Sequence, residues 1–297
     1  MKILILGSEG QIGIFLKNIF KYSAHDLYTF SKKDLDISDL KKLRRKITTI
    51  RPNIIINAAA YTDVDGSEQN MAEANKANNI AVKYLAILSK ELDIFLLHFS
   101  TDYVFNGLSK LPFKETDTTD PINFYGQSKL DGENEIIKSG CNYIIIRTSW
   151  VFSCHGNNFF KTMYNLAQNN DYIKIINDQI GCPTSAEDIA YTVKKIIDHK
   201  NFITNTKEIF HYCGDVYCSW YEFAKFIFNE MERRDLSVPL KVIPIKSSNY
   251  KTLAARPLYS VLDCSKLHNY FDVYKSDWKE AIRKFVDIKS KDNLEKK

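Results

Sequence analysis

The sequence has little of what marks a membrane, secreted or zinc-binding protein. No apolar stretch approaches the roughly 18 residues that a membrane span needs, and the run from Ile3 to Leu6 is too short for the core of a signal peptide. The six cysteines include no C-x-x-C pair, so the sequence signals neither a zinc site nor a disulfide framework. We therefore expect a cytoplasmic protein with reduced thiols and no membrane partner.

A large excess of one charge is also missing. The 41 lysines and arginines outnumber the 36 acidic residues by only five, and part of this excess lies in the tail from Lys289 to Lys297. A solvated chain end explains such a tail more simply than a nucleic-acid-binding arm does. We expect no nucleic-acid partner, and the mild positive excess suits an anionic ligand.

A glycine-rich turn follows the first predicted strand, Lys2 to Leu6, and leads into an amphipathic helix. The spacing G-x-x-G-x-x-G permits a tight turn at the first glycine, close approach of a pyrophosphate at the second, and close packing of helix on strand at the third. The helix N-terminus then faces the phosphates. The residues predicted here to bind a dinucleotide cofactor are Gly7, Gly10, Gln11, Ile12 and Gly13.

Buried strands alternate with amphipathic helices through the first half of the chain, whose 297 residues are 44% apolar and long enough for a large core. With the glycine motif at its start, this pattern predicts an α/β fold, a Rossmann-type doubly wound parallel sheet that binds NAD(P) in residues 1–150. The elements become shorter in residues 151–297. We expect that half to form mostly a smaller substrate-binding lobe, with some segments returning to the sheet.

The carboxyl ends of the second and third predicted strands extend the cofactor site. The second strand ends in Ser31-Lys32-Lys33 and lacks the acidic residue that would bond a free ribose 2′-hydroxyl. The two lysines favour the 2′-phosphate of NADPH, and NADH is the alternative cofactor. Asp36 is placed at the adenine end. The small residues after the third strand leave room for a flat ligand. The cofactor-binding residues added here are Ser31, Lys32, Asp36, Ala58, Ala59, Ala60 and Tyr61.

The chemistry is predicted to come from three residues on two elements. A buried strand from Ile94 to Phe99 delivers Thr101 to the same edge of the sheet, and Tyr125 and Lys129 share one face of the helix that follows. An ammonium beside a phenol lowers the pKa of the tyrosine, which suits proton transfer. We therefore expect hydride transfer with Tyr125 as the proton donor, Thr101 bound to the same substrate oxygen, and Lys129 also holding the cofactor.

Together these segments resemble the extended short-chain dehydrogenase/reductase superfamily, and finer motifs are similar to those of the dTDP-4-dehydrorhamnose reductase family. The motifs run from residue 3 to about residue 264 and are specific only as a set. They are Gly10 to Gly13, Asn57 to Thr62 with Val64-Asp65, Ser100 to Phe105, Tyr125-Gly126 with Lys129 to Glu133, Arg147 to Trp150, Gly156 to Phe159, Asp178-Gln179 with Gly181, Pro183 and Thr184, and Arg256-Pro257 with Ser260.

The resemblance implies an NAD(P)H-dependent oxidoreductase that reduces a dTDP-linked 4-keto-6-deoxy sugar, dTDP-4-dehydrorhamnose, to dTDP-L-rhamnose in nucleotide-sugar and polysaccharide biosynthesis. It implies the catalytic set Thr101, Tyr125 and Lys129. An indole offers a flat apolar face to a deoxysugar, and an arginine suits a diphosphate. The substrate-binding residues expected on this basis are Thr101, Asp102, Tyr103, Tyr125, Trp150, Asn158 and Arg256.

The chain departs from the family pattern at Phe15. Some members carry a carboxylate two residues after the glycine motif that helps to hold a magnesium ion at a dimer contact. An aromatic side chain supplies no ligand, which argues against Mg²⁺ and against that mode of dimerisation, although Glu187 stands at another of the ligand positions. We expect no metal site and either a monomer or a homodimer.

Two alternative functions remain. The regulatory β-subunit of methionine adenosyltransferase is similar to this family and acts as a binding partner rather than a reductase. The stretch Arg147 to Trp150 argues against that alternative, because it matches the reductases at a substrate-facing position. The other alternative is a reductase of a related nucleotide 4-keto-6-deoxy sugar, because side-chain identity does not determine which ring face receives the hydride.

Overall fold

The centre of the protein is a six-stranded parallel sheet, in a computed structural model that describes residues 1–199 and 206–294. The strands are β1 (Lys2–Leu6), β2 (Asp26–Phe30), β3 (Ile54–Asn57), β4 (Phe95–Thr101), β5 (Tyr143–Thr148) and β6 (Lys207–His211). Their order is β2-β1-β3-β4-β5-β6, so the chain reverses its direction across the sheet beside β1. Ligands of such sheets bind at the carboxyl ends of the strands beside this reversal.

Helices cover both faces of the sheet, which confirms the predicted doubly wound fold. They are α1 (Gln11–Phe20), α2 (Leu40–Ile50), α3 (Val64–Gln69), α4 (Met71–Asn75), α5 (Ala81–Glu91), α6 (Phe124–Ser139), α7 (Phe159–Asn169), α8 (Ala186–Asp198), α9 (Trp220–Glu232), α10 (Ser265–Phe271) and α11 (Trp278–Leu294). Leu16 of α1 and Val193 of α8 are buried in the core on one face, whereas Leu43 of α2 and Leu85 of α5 are buried on the other. No described helix is long and apolar enough to cross a membrane.

Apolar periodicity predicts one helix from about Ala72 to Leu92, but the structure interrupts it. A π-helical turn, Lys76–Ile80, separates α4 from α5. The turn buries Asn78, whose side chain bonds both the backbone N–H and the carbonyl of Tyr61, at 2.9 and 3.0 Å, and also the hydroxyl of Ser128. The interruption therefore ties the loop after β3 to helix α6, as π-turns often do at functional sites.

The second half of the chain builds a smaller lobe around its own core, where Phe152, Phe160, Phe223 and Trp278 are buried between α7, α9 and α11. Strand Tyr172–Ile176 pairs there with strand Lys241–Ile245. The sequence pattern predicts the first of these strands, near Ile173 to Ile176, but neither the second strand nor α10. The final helix, α11, runs from Trp278 to Leu294. Strand β6 returns to the main sheet beside β5. The last residues of the charged tail, 295–297, lie outside the described residues.

Candidate active site

A cleft of about 980 Å³ opens at the carboxyl ends of β1, β3 and β4, beside the reversal of strand order. It brings most of the predicted site residues together. Those that line its walls are Gly7, Gly10, Gln11, Ile12, Lys32, Asp36, Ala58, Ala59, Ala60, Tyr61, Thr101, Asp102, Tyr103, Tyr125, Lys129 and Trp150.

The glycine turn fits the diphosphate of a dinucleotide. Gly7 has φ +79°, and a Cβ there would lie 2.6 Å from the backbone N of Ala59, so only glycine suits this turn. Gly13 lies behind the cleft wall, where a Cβ would meet the carbonyl oxygen of Gly7 at 2.1 Å. Helix α1 has no side-chain cap and no acid in its first turn, so its first N–H groups are available to an anion.

At the adenosine end, Lys32 and Asp36 lie in the cleft wall, whereas Ser31 lies beneath it. The Ser31 hydroxyl is buried and donates to Asp34 Oδ2 at 2.7 Å. Ser31 therefore shapes the turn after β2, and its contact with the cofactor stays a prediction. The Asp36 carboxylate accepts hydrogen bonds from the N–H and hydroxyl of Ser38, at 2.9 and 2.6 Å, which hold it at the cleft.

Close packing of α6 brings Tyr125 beside Thr101 and the turn that follows β4. A Cβ at Gly126 would lie 2.1 Å from the carbonyl oxygen of Tyr103, so a residue larger than glycine would push the helix away. With glycine at this position, the rings of Tyr125 and Tyr103 form an edge-to-face contact, with centroids 6.1 Å apart. The Asn123 side chain caps α6 by accepting from the Gly126 N–H at 2.7 Å.

Lys129 is buried, and its contacts tie it to β4. Its ammonium donates to the carbonyl of Phe99 at 2.6 Å and lies 3.2 Å from His98 Nε2. Burial lowers the pKa of Lys129 to about 8, with Glu133 opposing the shift. His98 is fully buried, and its Nδ1 contacts the Asn57 amide at 3.0 Å. No local pattern in the sequence indicates the Asn57–His98–Lys129 contacts, because they join residues of three separate elements.

Tyr125 differs from the expectation in the direction of its pKa. Burial raises the pKa of Tyr125 to about 12, and the charge of Asp102 adds to this, whereas a hydrogen bond from Thr101 opposes it. The sequence pattern predicted a lowered value on account of Lys129. That ammonium is bonded to the carbonyl of Phe99, and burial dominates the phenol. Tyr125 is therefore protonated at neutral pH, which is the state that a proton donor requires.

Two indoles form one wall of the cleft. Trp150 lies two residues beyond the end of β5, with φ +45°, and it stacks on Trp220, the first residue of α9, with ring centroids 3.4 Å apart. Gly181 makes room for the pair, because a Cβ there would lie 2.4 Å from Cε2 of Trp150. Trp220 was not singled out in the sequence, since nothing in a lone tryptophan at a helix start indicates that it meets a distant indole.

Two predicted substrate residues lie beside the cleft rather than in its wall. The amide of Asn158 donates to Gln11 Oε1 at 2.8 Å and to the carbonyls of Ser153 and His155, while its oxygen caps α7. Arg256 forks onto the carboxylate of Asp65 at 2.7 and 3.1 Å. Both side chains thus have protein partners, and their direct contact with the substrate stays a prediction.

Only part of the stretch from Arg147 to Trp150 faces the cleft. Thr148 and Trp150 line the cleft. Arg147 is buried in the core instead, with Nη2 at 2.6 Å and Nε at 3.2 Å from Glu133 Oε2. A buried guanidinium requires such a carboxylate partner, so this arginine fastens α6 to β5.

The residues at the family's magnesium position do not fit a metal ion. Phe15 packs on His155 and Phe285, with ring centroids 5.5 and 6.4 Å apart. Both oxygens of Glu187 accept from the Lys284 ammonium, at 2.6 and 2.7 Å, so a lysine already neutralises that carboxylate. In residues 1–199 and 206–294, no group of three or more histidine, cysteine or acidic residues is arranged to hold a metal.

A doubly wound sheet with a glycine-rich turn and a buried Tyr-Lys pair at one cleft defines an NAD(P)-dependent oxidoreductase of the short-chain type. A family model described as RmlD substrate binding domain matches residues 1–290, and the chain belongs to that family. It is 39% identical to a dTDP-4-dehydrorhamnose reductase of Aggregatibacter actinomycetemcomitans, over 95% of this chain and 97% of the relative.

Solved structures give the same result. A dTDP-4-dehydrorhamnose reductase of Clostridium acetobutylicum matches with a TM-score of 0.89 and 36% identity, covering 97% of this chain and 99% of that one. A second, from Bacillus anthracis in complex with NADP, matches with a TM-score of 0.88 and 35% identity, covering 96% of this chain and 98% of that one. The family predicted from the motifs is confirmed.

Proposed function

We propose that this protein reduces the C4 ketone of dTDP-4-dehydro-6-deoxy-L-mannose to dTDP-L-rhamnose with NADPH. The observation that carries the proposal is a single cleft in which a diphosphate cradle at Gly7 and Gly10 adjoins Thr101, Tyr125 and Lys129. Membership of the family and the NADP bound in a similar structure support it. The product is an activated sugar for cell-surface polysaccharides.

The protein's own groups handle the proton and the orientation of the substrate. When bound, NADPH supplies the hydride that reduces C4. Tyr125, protonated at neutral pH, gives its phenolic proton to the oxygen that becomes the alcohol. The Thr101 hydroxyl orients the carbonyl beside that phenol. Lys129, held by the Phe99 carbonyl, binds the nicotinamide ribose and places positive charge near the developing alkoxide.

The cofactor is held along the open edge of the sheet. The first N–H groups of α1 bind the diphosphate, and the small residues Ala58 to Ala60 accept the flat rings. Lys32, at the adenosine end of the cleft, binds the 2′-phosphate, so NADPH is preferred and NADH is accepted less well. Asp36 contacts the adenosine on the same side.

The sugar is bound by residues from both halves of the chain. Asp102 and Tyr103 contact it from the sheet, and Trp150 and Trp220 present an apolar indole wall. Asn158 and Arg256 act behind this surface, through Gln11 and Asp65. Residues 1–150 thus supply the cofactor site, and residues 151–297 mostly the substrate lobe.

We place the reaction in the cytoplasm, because a nucleotide sugar and NADPH are both highly charged and do not cross membranes unaided. Each cleft contains the full catalytic set, so a monomer and a homodimer are equally competent. The mechanism needs no magnesium ion, since Tyr125 and Lys129 supply the proton and the positive charge.

The direct test is NADPH oxidation by the purified protein with freshly generated dTDP-4-dehydro-6-deoxy-L-mannose, with NADH in parallel. We expect turnover faster with NADPH and dTDP-L-rhamnose as the product identified by NMR. A C4 epimer of that product would redirect the assignment to a related sugar. Cofactor binding without turnover of any 4-keto sugar would favour the regulatory-subunit alternative and overturn the proposal.

A further inference from the structure

The side chain of Gln11 joins the glycine turn to the beginning of the second lobe. Gln11 is the first residue of α1, directly after Gly10, and it lines the cleft. Its Oε1 accepts hydrogen bonds from the Asn158 amide at 2.8 Å and from the Ser153 hydroxyl at 3.0 Å. Gly156 packs on its stem, since a Cβ there would lie 3.1 Å from Gln11 Cγ. The loop before α7 therefore folds against the diphosphate cradle.

The orientation of the Asn158 amide follows from its backbone partners. Its Oδ1 accepts from the N–H of Lys161 at 3.1 Å, and a backbone N–H can only donate. Its Nδ2 lies 2.9 Å from the carbonyl oxygen of Ser153 and 3.0 Å from that of His155, and a carbonyl oxygen can only accept. Exchanging the oxygen and the nitrogen of this amide would break all three contacts. Asn158 therefore presents an N–H group, and not an oxygen, to Gln11.

This contact fixes the orientation of the Gln11 amide in turn. An N–H donor requires an acceptor, so the oxygen of Gln11 faces Asn158 and its nitrogen lies on the other side of the amide group. In the part of the chain that the structure describes, the hydrogen bonds of the Gln11 side chain all end at its oxygen. The two N–H donors of this half-buried side chain are thus left for a ligand, beside a helix N-terminus that also attracts anions.

We infer that Asn158 is a positioning residue for the cofactor, which orients Gln11 so that the amide N–H groups of Gln11 donate to the diphosphate of NADPH. The inference rests on the proposed function for the identity of the cofactor. An unrestrained glutamine can also turn its oxygen towards the cleft, where that oxygen would repel the phosphate oxygens. Asn158 disfavours this arrangement, because its own N–H group would then meet the N–H groups of Gln11. The second lobe thereby contributes to cofactor binding through Gln11.

The test compares the NADPH affinities of Asn158→Ser, Gln11→Met and the double variant, measured by cofactor fluorescence without any sugar. Serine keeps a side-chain oxygen that can cap α7 but removes the amide, and methionine keeps the length of Gln11 without its donors. Because hydrogen bonds to a charged group are lost, we expect NADPH binding to weaken about tenfold in Gln11→Met and about three- to tenfold in Asn158→Ser. The double variant should bind NADPH as Gln11→Met does, since Asn158 acts through Gln11.

Two controls separate this role from a general disturbance of the cleft. Adenosine 2′-monophosphate lacks the diphosphate, so its inhibition constant in competition with NADPH should be the same in all three variants and in the unaltered protein. Asn169→Ser makes the same substitution near the end of α7, where the exposed amide of Asn169 bonds the carbonyl of Asn165. This variant should bind NADPH as the unaltered protein does.

Losses that multiply in the double variant would overturn the inference, because Asn158 would then act independently of Gln11. Unchanged NADPH affinity in Gln11→Met would overturn it as well, and so would an equal loss of affinity for adenosine 2′-monophosphate. Failure of the proposed function is read separately, because these measurements contain no sugar. It would appear as absence of turnover of a 4-keto sugar by unaltered protein that binds NADPH.

Discussion

Trp150 and Trp220 stack face to face, with ring centroids 3.4 Å apart and planes 4° apart, although one follows the central sheet and the other begins a helix of the second lobe. The two halves of the chain thus meet at the cleft through this stacked pair. This wall of the cleft is therefore shared between them, and its shape depends on how the lobes pack.

Replacing Trp220 by alanine should weaken sugar binding without affecting the cofactor. An aromatic pair contributes about 0.5–1.5 kcal/mol beyond burial, so we expect the KM for the sugar to rise about three- to tenfold with NADPH affinity unchanged. Steady-state kinetics and the near-ultraviolet circular dichroism of the indole pair measure both effects. Trp220→Phe keeps a ring on Trp150 and should restore most of the affinity. Equal weakening of sugar and NADPH would contradict this role.

Removing the phenolic oxygen of Tyr125 should abolish most of the turnover. General acid–base catalysis contributes about 10²–10⁴-fold, so we expect kcat of Tyr125→Phe to fall by that factor. The ring remains to pack against Tyr103, and NADPH binding, followed by cofactor fluorescence, should stay intact. Near-normal turnover would remove Tyr125 from the mechanism.

Lys32 should determine the preference for NADPH. We expect Lys32→Ala to raise the KM for NADPH about tenfold, because a charge-assisted contact to the 2′-phosphate is lost, and to leave the KM for NADH unchanged. Lys33→Ala is the matched control, since Lys33 is exposed outside the cleft wall. Equal changes in the KM for NADPH and for NADH in both variants would contradict this role of Lys32.

The carboxyl of Asp102 should make stability depend on pH. Its pKa is raised from 3.8 to about 7 on folding, so the folded state binds the extra proton between these values. That contribution is fully present below about pH 3.8 and is lost as the pH rises through about 7. Asp102→Asn should therefore match the unaltered protein near pH 4 and exceed it at pH 8, by up to roughly 4 kcal/mol. Urea unfolding at the two pH values measures the difference in unfolding free energy between the variant and the unaltered protein. The same difference at both pH values would contradict the raised pKa of Asp102.

The buried pair of Arg147 and Glu133 should be far more important for stability than an exposed pair. Both side chains are at most 4% exposed, so Glu133→Ala leaves an uncompensated guanidinium and should cost about 3–5 kcal/mol. The Arg44–Glu91 pair is about half exposed, and Glu91→Ala should cost less than about 1 kcal/mol. Urea unfolding compares them. Similar losses would show that the buried pair contributes no more than a surface one.

Much of the fold was predictable because its signals are local. The apolar pattern predicts strand β2 near Asp26 to Phe30, and the structure has the same bounds. The glycine turn, β1 and α6 also lie where their turn residues and apolar periods indicate. Most predicted site residues meet in one cleft for a related reason, since the carboxyl ends of parallel strands share one edge of the sheet.

The sequence by itself determined the alternation of strands and helices in the first half of the chain, the glycine cradle, and the spacing of Tyr125 and Lys129 on one helix face. Only the tertiary structure decided that Ser31, Asn158 and Arg256 bond protein partners beside the cleft, and that Trp220 joins Trp150. It also decided the direction in which the pKa of Tyr125 moves. Such features depend on burial and on partners distant in the chain, which no local pattern of residues encodes.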